Sequence, residues 1–322
     1  MSLAQPGCSV TALAGGVGGA KLAQGLAGII SPSSLSIVVN TADDFDLWGL
    51  RICPDLDTVM YTLAGLANPA TGWGIADDSH HVLDAIARYG REPWFRLGDR
   101  DFATHILRTE ALRNGVSLTD LTSDLAKALG VEPRILPMTD DIVSTVIHTP
   151  DAVLTFQDYF VARRQADTVI DVSFAGVETA AMTTESLAAI AAADVVVFCP
   201  SNPIVSIGPI LALPGARAMV RETPAVRIGV SPIIGGKALK GPADRMLSGM
   251  GYESSAFGVA SMYADVLDVF VIDTQDAADR DRIEALGIRV LVTDTVMGER
   301  DDRERLASEV VHAAAAVSER AL

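Results

Sequence analysis

The sequence predicts an α/β protein: a doubly wound, Rossmann-like parallel sheet carrying a helical insertion. Three observations lead there. Short apolar runs rich in Val, Ile and Ala recur along the chain, as strands buried on both faces require. In the second half these runs alternate with helical patterns, which is the doubly wound signature. From residue 58 to residue 141, by contrast, apolar residues recur at three- and four-residue spacing with no strong strand between them. The expected division is a nucleotide-binding core of residues 1–57 and 142–322, with residues 58–141 as the insertion.

Composition narrows the partners. A chain of 322 residues has room for a well-buried core. A net charge of -16 argues against nucleic acid and anionic membrane as partners, since both attract basic surfaces. Any anionic ligand must therefore meet local positive charge or a metal. Cys8, Cys53 and Cys199 lie far apart without ligand spacing, so no disulfide framework is expected and a cytoplasmic location is favoured. The uncharged windows at residues 22–42 and 195–216 are broken by proline and serine, and the first twenty residues hold no basic leader. Neither a membrane span nor a signal peptide is expected.

The first strand is expected over residues 8–14, followed by Gly15-Gly16-Val17-Gly18-Gly19-Ala20-Lys21 and a helix to about residue 30. A glycine turn between the first strand and first helix lets backbone amides approach a phosphate. Leu22 stands where a P-loop needs Ser or Thr, and Lys21 where a dinucleotide fingerprint needs Gly or Ala. The turn therefore reads as a phosphate loop of neither kind, or as a tight connection with no ligand. A second strand over residues 35–40 leads into VVNTADDFDLWGLRICPDLDT, which places Asp43, Asp44, Asp46, Asp55 and Asp57 in one short segment. Carboxylates at that density suit a hard divalent cation held beside phosphates, or else form a solvated acidic loop.

Helices are expected over residues 58–67, 79–89, 100–114 and 118–129, with Ser117 a cap and Gly90, Gly115 and Gly130 as stops. A hairpin is expected over residues 142–148 and 153–156, with a weaker strand at 169–174 and a short helix at 184–192. Central strands follow at residues 194–199, 225–230 and 266–272, then a strand at 289–293 and a helix from about 303 to 321. In a doubly wound sheet, ligands bind beyond the carboxyl ends of the strands. Besides the glycine turn and the acidic stretch, that rim carries Pro200-Ser201-Asn202-Pro203, continuing to Ser206, and Ser231-Pro232-Ile233-Ile234-Gly235-Gly236-Lys237, continuing to Lys240.

In the insertion, Arg96 and Arg100 can contact phosphate or stack on an extended aromatic ligand; equally, they can pair with capping residues Asp99 and Asp101. The five histidines show no zinc-like spacing and read as surface or structural residues. There is no Gly-x-Ser-x-Gly elbow and no evident cysteine nucleophile, so covalent catalysis is not expected.

The runs GGVGGAKL, NTADD, ICPDLDTVMYTLAG, LGDRDFATHILRTE, FQDYFV, PSNPIVSIGPIL and SPIIGGKALKGPADRM occur in this order. Together they resemble the 2-phospho-L-lactate transferases of coenzyme F420 biosynthesis, over nearly the whole chain. The resemblance implies an enzyme that takes a guanosine-diphosphate-activated phospho-acid made by a partner guanylyltransferase. It transfers the phospho-acid unit to the terminal ribityl hydroxyl of the deazaflavin FO, with GMP leaving. The phospho-acid is phospholactate, phosphoenolpyruvate or phosphoglycerate. It further implies Mg²⁺ and a homodimer. Residue by residue, the family's metal-binding aspartates fall on Asp43 and Asp57, and its FO contacts on Asp57 and Arg96. Asp44 or Asp57 is left to take the hydroxyl proton. The nucleotide is assigned to Gly15, Gly16, Gly18, Gly19 and Lys21, to Ser201, Asn202 and Ser206, and to Ser231, Gly235 and Lys237. The competing reading is a non-enzymatic, nucleotide-sugar-binding regulator of related fold, to be told apart by whether a guanine or a uridine nucleotide copurifies.

Overall fold

The computed structural model describes residues 8–318. Seven strands form one parallel sheet: β1 (Val10–Ala14), β2 (Leu35–Val39), β3 (Arg134–Pro137), β4 (Val195–Phe198), β5 (Val226–Val230), β6 (Val269–Asp273) and β7 (Arg289–Thr293). Their spatial order is β3-β2-β1-β4-β5-β6-β7, the doubly wound order with its switch point between β1 and β4. The register sets Leu13 of β1 between Val38 of β2 and Phe198 of β4.

Alternation along each strand feeds two cores. One face presents Leu13, Val38, Val196, Phe198 and Phe270; the other presents Ala12, Ile37, Val197, Ile228 and Val271. Burying each large apolar side chain contributes roughly 1.5–3 kcal/mol. The second face is covered by α1 (Gly16–Ile29), α2 (Pro54–Leu63) and the helix Arg300–Ser318. The last helix presses so closely on α1 that a Cβ on Gly25 would lie 2.1 Å from the Arg303 carbonyl oxygen. That helix begins earlier than expected, and the part expected beyond residue 318 lies outside the described residues. Among those residues no helix is long and apolar enough to cross a membrane.

The insertion is smaller than the sequence suggests. Residues 134–137 were expected within it but form the sheet edge β3, paired with β2. The run is only four residues, opens with an exposed Arg134 and ends in Pro137, which an edge strand tolerates. α2 begins at Pro54, and its Leu56, Val59 and Tyr61 join the sheet core, as do Leu118 and Ala126 of the helix Leu118–Ala128. What remains separate is a hairpin, Phe45–Leu47 with Leu50–Ile52, together with α3 (His81–Arg88) and α4 (Asp99–Arg113). These share a small core of Leu47, Ile52, Leu83, Leu97 and Phe102. Trp48 and Gly49 make the two-residue turn, both at positive φ (52° and 80°), as a type I′ hairpin requires. The Trp48 ring stacks on Phe102 of α4, 6.3 Å between centroids, and anchors the left-handed residue.

The expected hairpin at residues 144–155 is present and pairs with Asp171–Ala175 in a three-stranded antiparallel sheet. The FQDYFV run leads into a π-helical turn, Asp158–Ala162.

Candidate functional site

The rim at the β1/β4 switch point brings the glycine turn, the acidic stretch and the Pro200 loop together. Asn40, at the end of β2, is fully buried and organises it. Its amide nitrogen donates to Asp43 Oδ2 (3.1 Å), Asp55 Oδ2 (3.0 Å) and the Val205 carbonyl (3.2 Å), while its oxygen accepts from the Ala42 N–H (2.9 Å).

The glycine turn is more committed than the sequence suggests. The Gly16 N–H donates to Asp55 Oδ1 (2.8 Å) and the Gly15 N–H to Ser201 Oγ (3.1 Å); the Ser201 hydroxyl donates back to the Gly15 carbonyl (2.8 Å). Close packing accounts for the other glycines. A Cβ on Gly18 would meet the Pro200 carbonyl oxygen at 2.2 Å, and one on Gly19 would meet Ser201 Oγ at 2.5 Å. Ser206 packs on Gly15, and Asn202 turns inward to accept from the Ile204 N–H (2.9 Å). The amides of Gly15 and Gly16 thus have protein partners, and any phosphate meets the N-terminal turn of α1 beyond them.

The local positive charge comes from side chains. Lys21 Nζ donates to the Met297 carbonyl (2.6 Å), and burial, then the neighbouring Arg303 and Lys240, pull its pKa down. Lys240 Nζ reaches the Thr71 carbonyl (2.7 Å), tying this rim to the segment after α2. Lys237 is exposed, Ser231 bonds within its own turn, and the Gly235 N–H is taken by Asp276 (3.0 Å). Lys240 and Arg303 lie close enough to Lys21 to act on its charge.

The aspartates divide. Asp43 Oδ1 and both Asp44 oxygens are buried with no hydrogen-bond partner among the described residues; Arg51 approaches Asp44 only to 3.7 Å. Burial, then the charge on Asp55, holds the Asp43 carboxyl well above the usual range, and burial pushes Asp44 up to about 7. Orphaned buried carboxylate oxygens cost free energy unless a proton or cation meets them. Oxygen donors of this kind suit a hard divalent cation, so Asp43 and Asp44 fit Mg²⁺ on their own chemistry. Gln157, leading into the π-helical turn, donates to the Asp43 carbonyl (3.0 Å) and fixes the loop from below.

Asp57 differs. It is buried in the first turn of α2, and both its oxygens accept from Arg108 of α4, one at 3.0 Å and the other closer. Such an ion pair leaves one lone pair on each oxygen for a further ligand, and metal-binding carboxylates are commonly held this way. Arg108 and its neighbour His105, both 1 % exposed, escape a reading by motif. Their one signal is spacing: Asp101, His105 and Arg108 fall on one face of α4, turned towards Asp57. His105 is therefore buried and structural rather than on the surface.

Beside these groups opens a cavity of about 410 Å³, the size of a small-ligand site, lined by Trp73, Asp78, His80, Arg96 and Asp101 among others. Arg96 is exposed there, its Nε donating to His80 Nε2 (3.1 Å). Capping is reciprocal and partly as expected. Asp99 accepts from the Val82 N–H (2.9 Å) at the start of α3, while Asp78, rather than Asp101, accepts from the Arg100 N–H (3.0 Å) at the start of α4. Asp57 does not line the cavity; His105 lies between it and Asp101. The segment that lines the cavity also meets the glycine turn: a Cβ on Gly72, between the lining residues Thr71 and Trp73, would meet Val17 Cγ1 at 2.5 Å.

Comparison with known proteins agrees along the length of the chain. The family described as "2-phospho-L-lactate transferase CofD" matches residues 10–312. A 2-phospho-L-lactate transferase of Methanosarcina barkeri is 41% identical over 297 residues, covering 92% of this chain and 96% of its own. A phosphoenolpyruvate transferase of Streptomyces griseus is 41% identical over 314 residues, covering 95% and 98%. One from Kitasatospora aureofaciens is 44% identical over 289 residues, covering 87% and 89%. Among solved structures, a UPF0052-family protein of Bacillus halodurans superposes with a TM-score of 0.64 at 16% identity, covering 94% of this chain and 98% of its own. That likeness is one of fold alone.

Proposed function

The chain belongs to the 2-phospho-L-lactate transferase CofD family, a family of transferases of coenzyme F420 biosynthesis, and from that premise we propose its reaction. It moves a phospho-acid unit from a guanosine-diphosphate-activated donor to the terminal ribityl hydroxyl of the deazaflavin FO. A new P–O bond forms to the hydroxyl oxygen, the P–O bond to GMP breaks, and the hydroxyl proton passes to a base.

One observation carries this reading: the cavity bearing Arg96 abuts both the glycine turn and the Lys240 loop, with the orphaned carboxylates of Asp43 and Asp44 on the same rim. Donor phosphates lie at the N-terminal turn of α1, between Lys21 and Lys240, and Ser201 and Ser206 shape that turn. Arg96 orients the deazaflavin, as guanidinium does through stacking and forked hydrogen bonds. Asp43 and Asp57 would hold Mg²⁺. When bound, the ion neutralises charge on the phosphoryl oxygens. Asp44, whose oxygens have no hydrogen-bond partner among the described residues, receives the hydroxyl proton. The homodimer carried by the resemblance belongs to the same proposal, and sedimentation velocity checks it.

The test is product formation. The purified chain is incubated with FO, GTP, Mg²⁺, a guanylyltransferase and each phospho-acid in turn, and products are read by mass. One donor should give a species heavier than FO by its phospho-acid unit. No product with any of the three, or a uridine-diphospho-sugar copurifying in place of a guanine nucleotide, would overturn the reading.

A further inference from the structure

Arg108 is among the largest fully buried side chains of the protein, and its guanidinium forks onto both oxygens of Asp57. Taking two opposite charges out of water is costly before their attraction is counted, and an apolar pair of similar volume would pack there without that cost. A fork does what an apolar pair cannot. It fixes the plane of the carboxylate and so the direction of its remaining lone pairs.

The fork is itself held. Arg108 Nη1 lies 3.2 Å from His105 Nδ1. Arginine has no acceptor, so Nδ1 must accept, and the ring hydrogen then sits on Nε2. Nε2 faces Asp101 Oδ1 at 3.2 Å, a close charge contact without hydrogen-bond alignment, and the same oxygen accepts from the Tyr61 hydroxyl at 2.7 Å. One carbonyl further along, Thr109 Oγ1 donates to the His105 oxygen (2.7 Å) and locks that turn of α4. Ligand atoms of Asp57, Asp101 and His105 lie within 4.8 Å of one another, and Arg108 is already paired to Asp57 and His105.

Asp101 lines the cavity and Asp57 lies on the acidic rim, so this buried chain joins the two. We propose that Arg108 is a positioning residue for Asp57, and that His105 couples the Asp57–Arg108 pair to Asp101 in the cavity wall. Metal affinity at the rim then depends on side chains that touch neither metal nor substrate. The inference rests on the reading of Asp57 as a metal ligand, and its test is separable from turnover.

The measurement is Mn²⁺ binding to the full chain without substrates, followed by electron paramagnetic resonance, with melting temperatures alongside. R108K keeps the charge and loses the fork; H105A removes the link; H105Q offers a donor and an acceptor again. R108K and H105A should each weaken Mn²⁺ about 10-fold, the scale seen for groups that orient metal ligands, with H105Q back within about threefold of the parent. Parent-like Mn²⁺ binding by R108K, an H105Q no better than H105A, or a parent that binds no Mn²⁺ would each overturn the inference. If R108K fails to fold, the two His105 variants decide. In turnover, H105A should raise KM for the deazaflavin and leave KM for the guanosine donor unchanged. A parent inactive with every donor sinks the transferase reading, while the Mn²⁺ result still decides this one.

Discussion

Asp43 and Asp44 on one side, and Asp55 and Asp57 on the other, come from the same acidic run and meet opposite fates. The first pair leaves three oxygens without hydrogen-bond partners among the described residues. In the second pair Asp55 is tied to Gly16 and Asn40, and Asp57 to Arg108. Carboxylate density alone therefore says little about role. An unsatisfied buried oxygen marks a place for a cation or proton, and a satisfied one is held in a fixed direction by its partner.

The comparison can be broken or sharpened by substitution, beginning with the largest effect. Asp57→Asn keeps the shape but loses the charge on which both Arg108 and the metal depend. Transfer should fall by about 100-fold or more while guanine-nucleotide binding, measured by calorimetry, persists. Asp55→Ala removes the partners of the Gly16 amide and of Asn40 and should cost about 2–3 kcal/mol in urea unfolding at pH 5, below the value of about 6 to which burial raises the Asp55 carboxyl. An unchanged unfolding midpoint would dissolve the distinction between the pairs.

Asp44→Asn should do the reverse. The folded carboxyl titrates near 7, above its unfolded value, so its contribution to stability is present at low pH and lost as pH rises through about 7. At pH 8 without metal the charged group weighs against the fold, and the asparagine variant should be more stable by about 2 kcal/mol, with no gain at pH 4. The same sign governs metal addition. Mg²⁺ should raise the melting temperature of the parent more at pH 8 than at pH 5.5, because it competes with the proton for Asp43, whose carboxyl burial holds above the usual range. Equal shifts at both pH values would place the ion elsewhere.

Much of this was legible in the chain. The central strands follow from their apolar runs, and the rim loops from glycine, proline and serine at strand ends. β3 escaped because Arg134–Pro137 is short, ends in proline and gains its strand character from pairing with β2. The Trp48-Gly49 hairpin escaped because a tryptophan at positive φ is held by Phe102, far off in sequence. At the site, NTADD and PDLDT locate the carboxylates, but the orphaned and satisfied members differ only in three-dimensional neighbours. Arg108 and His105 carry no motif. Their meaning lies in facing a carboxylate on another helix.

The Asp57–Arg108 pair also bears on modularity. The hairpin with α3 and α4 has its own small core and looks like a lid that could be trimmed away or exchanged between relatives. Excision would remove Arg108 and strand the Asp57 charge against the sheet core, where breaking a buried pair costs about 3–5 kcal/mol. A shortened or chimeric enzyme must therefore carry α4 with α2 as a unit, or neutralise Asp57 and with it the chemistry.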